Sequence, residues 1–489
     1  MTIAVIDTGT TQMKLVLFDV QGTTKFQHAV STTSHYFDDG RVEQDPQRWR
    51  DALAVLLRAA ALFLSDQGLT LHALALTSQR SSIIAVDAQG NALSPTLMWQ
   101  DTRTQALCDS LAGASAQVHQ RCGLPILPVF SAAKMGWLKQ NQTALYQRAA
   151  KLVGIHDFLL HTLTGRFCTD YSLASRTNLF NLRTRQWDDS LLALFELDED
   201  KLCTLLPPAS VAGALLPSIA AQVSLPAGIP VITAGGDQQC CALGMGQFAS
   251  DRVIANVGTG AYVMGMATTL GTAPLDSHFA YNHAALPGNI VIEGALLSAS
   301  CAYDWFNRTF YQADGDYHTI NQEASAASPG GYGLVLSPFF KGKLAQQQPG
   351  EAKAFFYDIA LHHTRGDFAR AILEGIAHEL HHQIQGIAPL VGGITDIYTA
   401  GGITQFDTFN QIQADIYNRP VVALKDNATA AGAWISAVVT LQHYRSYAQA
   451  HQQIARHQHT RCFLPQPDNV ALYQAQAVKS RIVQEHIYS

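Results

Sequence analysis

The sequence predicts an α/β chain of two domains related by an internal duplication, and three observations carry that expectation. Its 489 residues exceed the length over which one hydrophobic core keeps growing. Short apolar, β-rich runs alternate with longer helical patterns, the alternation that builds layers of helices on sheets. A strand–turn–strand plan at residues 1–30 recurs at residues 252–268. Composition agrees: 47% hydrophobic against 14% charged residues supplies buried cores and excludes a disordered or fibrous chain. A net charge of −6 argues against nucleic acid or an anionic membrane as the main partner and leaves small ligands as the expectation.

In chain order, Ile3-Ala4-Val5-Ile6 and Leu15-Val16-Leu17-Phe18 read as two strands around the polar turn Asp7-Thr8-Gly9-Thr10-Thr11. Val20-Gln21-Gly22 closes the second strand. Helical patterns follow at Pro46 to Asp66 and at Ser131 to Gln140, with a strand at Ala73-Leu74-Ala75-Leu76-Thr77 between them. The stretch Leu215 to Ile232, punctuated by Pro217 and Pro226, ends in the strand Ile229-Pro230-Val231-Ile232 and runs into Thr233-Ala234-Gly235-Gly236-Asp237-Gln238-Gln239. The second hairpin then goes from Val253-Ile254-Ala255 through Gly258-Thr259-Gly260 to Tyr262-Val263-Met264. A boundary near residue 245 divides the chain into domains 1–245 and 246–489. Late in the second, Ile397 to Gly402 is a strand running into glycines, with a helical pattern from Phe406 to Ile416.

No stretch approaches about 20 uninterrupted apolar residues and no signal-peptide pattern opens the chain, so a cytoplasmic protein without a membrane partner is expected. The 8 cysteines are scattered without C-x-x-C, which indicates neither a disulfide framework nor a zinc ribbon.

Four motifs carry chemistry. The turn from Asp7 to Thr11 points backbone N–H groups and hydroxyls at one spot, as a phosphate needs, beside a carboxylate able to hold the accompanying Mg²⁺. An ordinary hairpin turn would use the same residues. Gly258-Thr259-Gly260 repeats the design, and two such loops could grip a triphosphate. Asp237, straight after two glycines at a strand end, is exposed with little bulk around it and can take a proton from a hydroxyl; the alternative job is a helix N-cap. In Ala400-Gly401-Gly402-Ile403-Thr404, paired glycines let a planar nucleoside approach the backbone. Neither G-x-x-x-x-G-K-[ST] nor G-x-G-x-x-G after a strand occurs, so P-loop and Rossmann binding are unsupported.

Taken in order, these motifs resemble the FGGY family of carbohydrate kinases, within the actin, Hsp70 and sugar-kinase superfamily. The segments Trp99-Gln100-Asp101-Thr102-Arg103-Thr104, Asp170 to Thr177, Arg370 to Gly375 and Gln413 to Ile416 also look like family segments. The resemblance implies two ribonuclease H-like domains with an interdomain cleft, closing over ATP with Mg²⁺ and a small ketose, such as a pentulose, or a polyol. It implies Asp237 as general base and Asp7 as the Mg²⁺ residue. Thr10, Thr11, Lys14, Gly258 and Thr259 fall to the phosphates, and Gly401 and Gly402 to the nucleoside. Gln79, Arg80, Trp99, Asp101, Asp237 and Gln238 fall to the substrate. A homodimer is consistent with the family.

Within the family, Thr169 to Asn181 looks more like glycerol kinases than xylulose kinases. Two glycerol contacts are nevertheless replaced: Ser81 stands where glycerol kinases have Glu, and Val129 where they have Tyr. The smaller groups suit a different, longer substrate, with a glycerol kinase proper as the alternative.

Three other classes compete. Ile6-Asp7-Thr8-Gly9-Thr10 satisfies an aspartic-protease pattern, but the chain has no second Asp-Thr-Gly. His378-Glu379-Leu380-His381-His382 contains His-Glu-x-x-His, a zinc-hydrolase spacing with His378 and His382 as ligands, in a chain whose 19 histidines can produce it by chance. A sugar-independent ATPase would lack the substrate segments at Trp99 and Asp237.

Overall fold

The computed structural model describes residues 1–248, 251–342 and 352–488. The chain folds as two units. The first comprises Met1–Phe248, Thr268–Val291 and Asn427–His457; the second comprises Ala249–Ala267, Ile292–Asp426 and Gln458–Ser489.

In the first unit a six-stranded sheet runs in the order Ser210–Ala214, Pro230–Gly236, Leu71–Ser78, Thr2–Thr8, Gln12–Asp19, Thr24–Ser31. Pro230–Gly236, Leu71–Ser78 and Thr2–Thr8 are parallel, and the hairpin strands beyond them are antiparallel. Ile3, Ala4, Val5 and Ile6 are wholly buried, as an unbroken apolar run in a sheet covered on both faces requires. Strand alternation divides them between two layers. Ala4, Ile6, Leu15 and Leu17 pack with Trp49, Leu53, Leu56 and Leu57 of the helix Pro46–Asp66. Ile3, Val5, Val16 and Phe18 pack with Ala430, Trp434 and Val438 of the helix Ala428–Thr440.

The first helix starts where Asp45 accepts from the N–H of Gln47 at 2.9 Å and Pro46 takes a position that needs no N–H. The second approaches the helix Asp237–Gly244 closely: a Cβ on Gly432 would stand 1.8 Å from the Cys240 carbonyl.

The second unit repeats the plan. Arg252–Val257 is antiparallel to Ala261–Ala267 and parallel to Asp396–Ala400, which is parallel to Val421–Leu424. Thr2–Thr8, Gln12–Asp19 and Leu71–Ser78 stand in the same relation. The helix Arg365–Val391 is set off by Thr364 and Asp367, whose carboxylate accepts from the Thr364 N–H at 2.8 Å. Among the described residues no helix is long and apolar enough to cross a membrane.

Candidate active site

Asp7 lies at the C-terminal end of Thr2–Thr8, in register with Lys14 on one neighbour and Thr77 on the other. Its carboxyl is held up at about 7 against an ordinary 3.8, first by burial and then by the charge of Asp237; Lys14 and a hydrogen bond from Asn427 oppose the rise without cancelling it. The Asp7–Thr11 turn is closed by the Gly9 N–H bonding the Gln12 carbonyl at 3.0 Å. Trp99 Nε1 donates to Thr10 Oγ1 at 3.0 Å, and Gln44 donates to the Thr10 carbonyl at 2.9 Å. Thr11 is exposed. Gln79 ties the neighbouring strand to this turn: its N–H reaches the Thr8 carbonyl at 2.8 Å and its Oε1 accepts from Ser82 Oγ at 3.2 Å. Ser82 Oγ in turn accepts from the Trp99 N–H at 3.0 Å. Five expected residues, Asp7, Thr10, Lys14, Gln79 and Trp99, thus share one end of the sheet.

Asp237 stands at that same end. Gly235 has φ 117°, and a Cβ there would be 3.0 Å from Ser172 Oγ; one on Gly236 would be 2.6 Å from Gln239 Oε1. Gly235 is therefore required by its backbone conformation and Gly236 by the close approach of Gln239 and Arg80. The helix cap falls to Gly236, so Asp237 is the first helical residue rather than the cap, and its Oδ1 accepts from the Gln238 N–H at 2.7 Å. Arg80 Nε lies 3.5 Å from Asp237 Oδ1, with the Arg80 side chain 6% and the Asp237 side chain 26% exposed. Gln238 is half-buried beside them.

Sequence reasoning missed the buttress behind this turn. Wholly buried Asp170 accepts from the Ser172 N–H at 2.8 Å, from Ser172 Oγ at 2.5 Å and from the Thr233 hydroxyl. Ser172 Oγ accepts from the Gly236 N–H at 3.0 Å. A buried carboxylate thereby fixes the backbone just before Asp237, and Asp-x-Ser ahead of a helix was the legible signal. Asn427 was also missed. It caps Ala428–Thr440 through the Ala430 N–H at 3.1 Å, leaving its amide N–H for Asp7.

Asp101 departs from a substrate contact. It is wholly buried and accepts from the Val42 N–H at 2.8 Å, with Arg103 held two-pronged at 2.9 and 2.7 Å. All its lone pairs face inward, so it braces the Trp99 segment.

In the second unit, the Gly258 N–H bonds the Gly260 carbonyl at 2.9 Å, leaving the Thr259 hydroxyl exposed at the turn. Gly401 and Gly402 have opposite surroundings. Gly401 has φ 110° and a Cβ there would be 2.2 Å from the Val257 carbonyl, whereas a Cβ on Gly402 meets nothing within 4 Å. Gly401→Ala is therefore expected to destabilise the protein by about 2 kcal/mol or more. Gly402→Ala should leave the melting temperature unchanged. Thermal melts check both.

The histidine motif does not gather. His378 is half-buried, its Nε2 faces Gln476 Oε1 at 3.2 Å, and desolvation of the ring pushes its imidazole down to about 4. His382 is exposed, and Glu379 Oε1 accepts from Gln383 at 3.3 Å. His378 is thus engaged by Gln476 while His382, one turn on, faces solvent, which corrects the zinc alternative. Among the described residues no three His, Cys, Asp or Glu side chains form a metal cluster. Asp7 instead fits Mg²⁺, which takes one or two carboxylates and fills its shell with phosphate oxygens and water. A carboxyl driven up by burial and a second carboxylate is a group that a cation relieves.

The N-terminal domain of the FGGY family of carbohydrate kinases matches residues 2–244, and the C-terminal domain of that family matches residues 253–441. A xylulose kinase of Lactococcus lactis subsp. lactis is 26% identical over 483 residues, covering 96% of this chain and 93% of that one. A glycerol kinase of Thermococcus onnurineus is 30% identical over 425 residues, covering 85% and 84%. The crystal structure of a gluconate kinase from Lactobacillus acidophilus superposes with a TM-score of 0.91 at 22% identity over 99% of this chain and 98% of that one. The chain belongs to the FGGY family of carbohydrate kinases. It is a phosphotransferase with the two-domain α/β fold of that family, whose members use ATP, typically with a divalent metal.

Proposed function

We propose that this kinase transfers the γ-phosphoryl group of ATP to a hydroxyl of a small ketose, such as a pentulose, or of a polyol, with Asp237 as general base. The observation that supports it most is the Asp237 carboxylate on its glycine turn, beside Arg80 at 3.5 Å and electrically coupled to Asp7. Phosphoryl transfer asks for positioning and charge neutralisation more than covalent chemistry, so two turns, a cation and one base are sufficient. The Arg80 guanidinium lies 3.5 Å from the carboxylate that takes the acceptor proton and fixes its place at the helix start. Trp99, Gln79, Arg80 and Gln238 orient the acceptor, and Asp101 holds the Trp99 segment. Asp7 holds Mg²⁺, which when bound neutralises charge on the phosphates. Thr10, Thr11 and Lys14 belong to the phosphates, as do Gly258 and Thr259. Gly402 leaves room for the nucleoside, and Gly401 packs beneath it. In this division, 1–245 carries the acceptor groups, first phosphate loop and base, and 246–489 carries the nucleotide.

The relatives' names include xylulose, gluconate and glycerol kinases, so they span several acceptors. Ser81 and Val129, both smaller than their glycerol-kinase counterparts, favour an acceptor longer than glycerol. ADP release with Mg²⁺ and ATP, measured across glycerol, erythritol, pentitols, D- and L-pentuloses, hexuloses and aldonates, tests this. One stimulating pentulose or longer polyol is expected. Stimulation by glycerol alone makes the chain a glycerol kinase, and stimulation by none removes the acceptor assignment.

A further inference from the structure

Lys134, the fourth residue of the helix Ser131–Asn141, is wholly buried. Its Nζ donates to the carbonyls of Pro128, Val129 and Phe130 at 2.5, 2.9 and 3.5 Å. The ionisable groups facing it are Asp101, which favours the ammonium, Arg103, which opposes it, and Cys108. Asp101 is already engaged by Arg103. A buried cation needs compensation, and here three backbone carbonyls supply it. Three acceptors converging on one nitrogen call for three N–H groups, which an ammonium has and a neutral amine lacks. The loop is shaped to the charged form.

That loop leads to the site. Arg176 stacks its guanidinium over the Phe130 ring at 5.0 Å, and its carbonyl accepts from Ser81 Oγ at 3.1 Å. Ser81 adjoins Arg80, whose Nε faces Asp237. Val129 is half-buried in this loop, and by the resemblance to glycerol kinases it stands where their acceptor pocket has Tyr.

We propose that Lys134 is a positioning residue whose ammonium draws the Pro128–Phe130 carbonyls together, fixes that loop as a wall of the acceptor pocket, and so sets acceptor affinity rather than the chemical step. This rests on the acceptor assignment given under Proposed function.

Burial pushes the Lys134 amine down to about 7, so its charge is present below that pH and lost above it. In the wild-type enzyme the acceptor KM is expected to rise about tenfold between about pH 6 and about pH 9. Protonation of Asp7 acts with the opposite sign and on the nucleotide side, and is read in the KM for ATP. Lys134→Met should raise the acceptor KM by about tenfold, flatten its pH profile, and leave kcat and the KM for ATP within about threefold. A flat wild-type acceptor KM, or a Lys134→Met profile that keeps the wild-type step, overturns the proposal.

Amide hydrogen exchange over residues 129–134 of the wild-type protein, corrected for its intrinsic pH dependence, separates the two assignments. Loosening across pH 7 with no compound phosphorylated leaves the Lys134 clamp standing and removes the acceptor assignment. Unchanged protection removes the clamp whatever the panel shows.

Discussion

Asp237→Asn is expected to lower turnover by about 10² to 10⁴, the usual weight of a positioned general base, while nucleotide affinity barely changes. The substitution is nearly isosteric, and the amide oxygen can still accept from the Gln238 N–H, so the helix start survives. What disappears is the proton acceptor and the charge facing Arg80 at 3.5 Å. There is also a signature a merely structural residue would not leave. Asp237 is the second cause of the raised Asp7 pKa, so the variant should move the titration of Asp7 toward ordinary carboxylate values. Steady-state kinetics over a pH series with Mg²⁺–ATP titrations measures both effects. Near-normal turnover would remove Asp237 from its role.

Asp7→Asn is expected to cost at least about 10² in turnover and yet to stabilise the ligand-free protein above pH 7. The sign follows from the direction of the shift. The Asp7 carboxyl titrates near 7 when folded and near 3.8 ordinarily, so between those values the folded chain binds the extra proton and stability falls as pH rises. Above about pH 7 the folded protein carries the full penalty of a buried, repelled carboxylate, on the order of a few kcal/mol. The amide removes it. Below about pH 4 both folded and unfolded wild-type chains are protonated and the two proteins should melt alike. Mg²⁺–ATP should raise the melting temperature of wild type more than that of the variant. Melting curves across pH decide it, and a variant less stable than wild type at about pH 8 would contradict the repulsion between Asp7 and Asp237. Activity lost for a gain in stability is what a strained functional site predicts.

The strand Thr2–Thr8 was legible because an unbroken apolar run ending in Asp7-Thr8-Gly9 has few other uses, and its repeat at Gly258 exposed the duplication. Asp237 was legible because two glycines before a carboxylate at a strand end leave it uncovered. Contacts across sequence distance were not legible. The helix Ala428–Thr440 packs on a sheet whose strands lie about two hundred residues or more earlier in the chain, and Asn427 at its start reaches Asp7. Asp170 gave only an Asp-x-Ser pattern, and its hold on Gly236 through Ser172 depends on tertiary placement. Asp101 misled because a carboxylate in a polar segment reads as exposed, whereas Arg103, two residues on, turns it inward. His378 misled for a related reason: helical spacing records which residues share a face, not whether that face meets a metal or Gln476.

The most direct measurement is the ratio of phosphorylated acceptor to ADP formed, by mass spectrometry and coupled ADP assay, with the compound that stimulates turnover. A carbohydrate kinase using Asp237 as base gives a ratio near one in wild type, with both products falling together in Asp237→Asn. ADP accompanied by inorganic phosphate and no phosphorylated acceptor, at a rate the variant leaves unchanged, would contradict both the transfer to a carbohydrate hydroxyl and the role of Asp237.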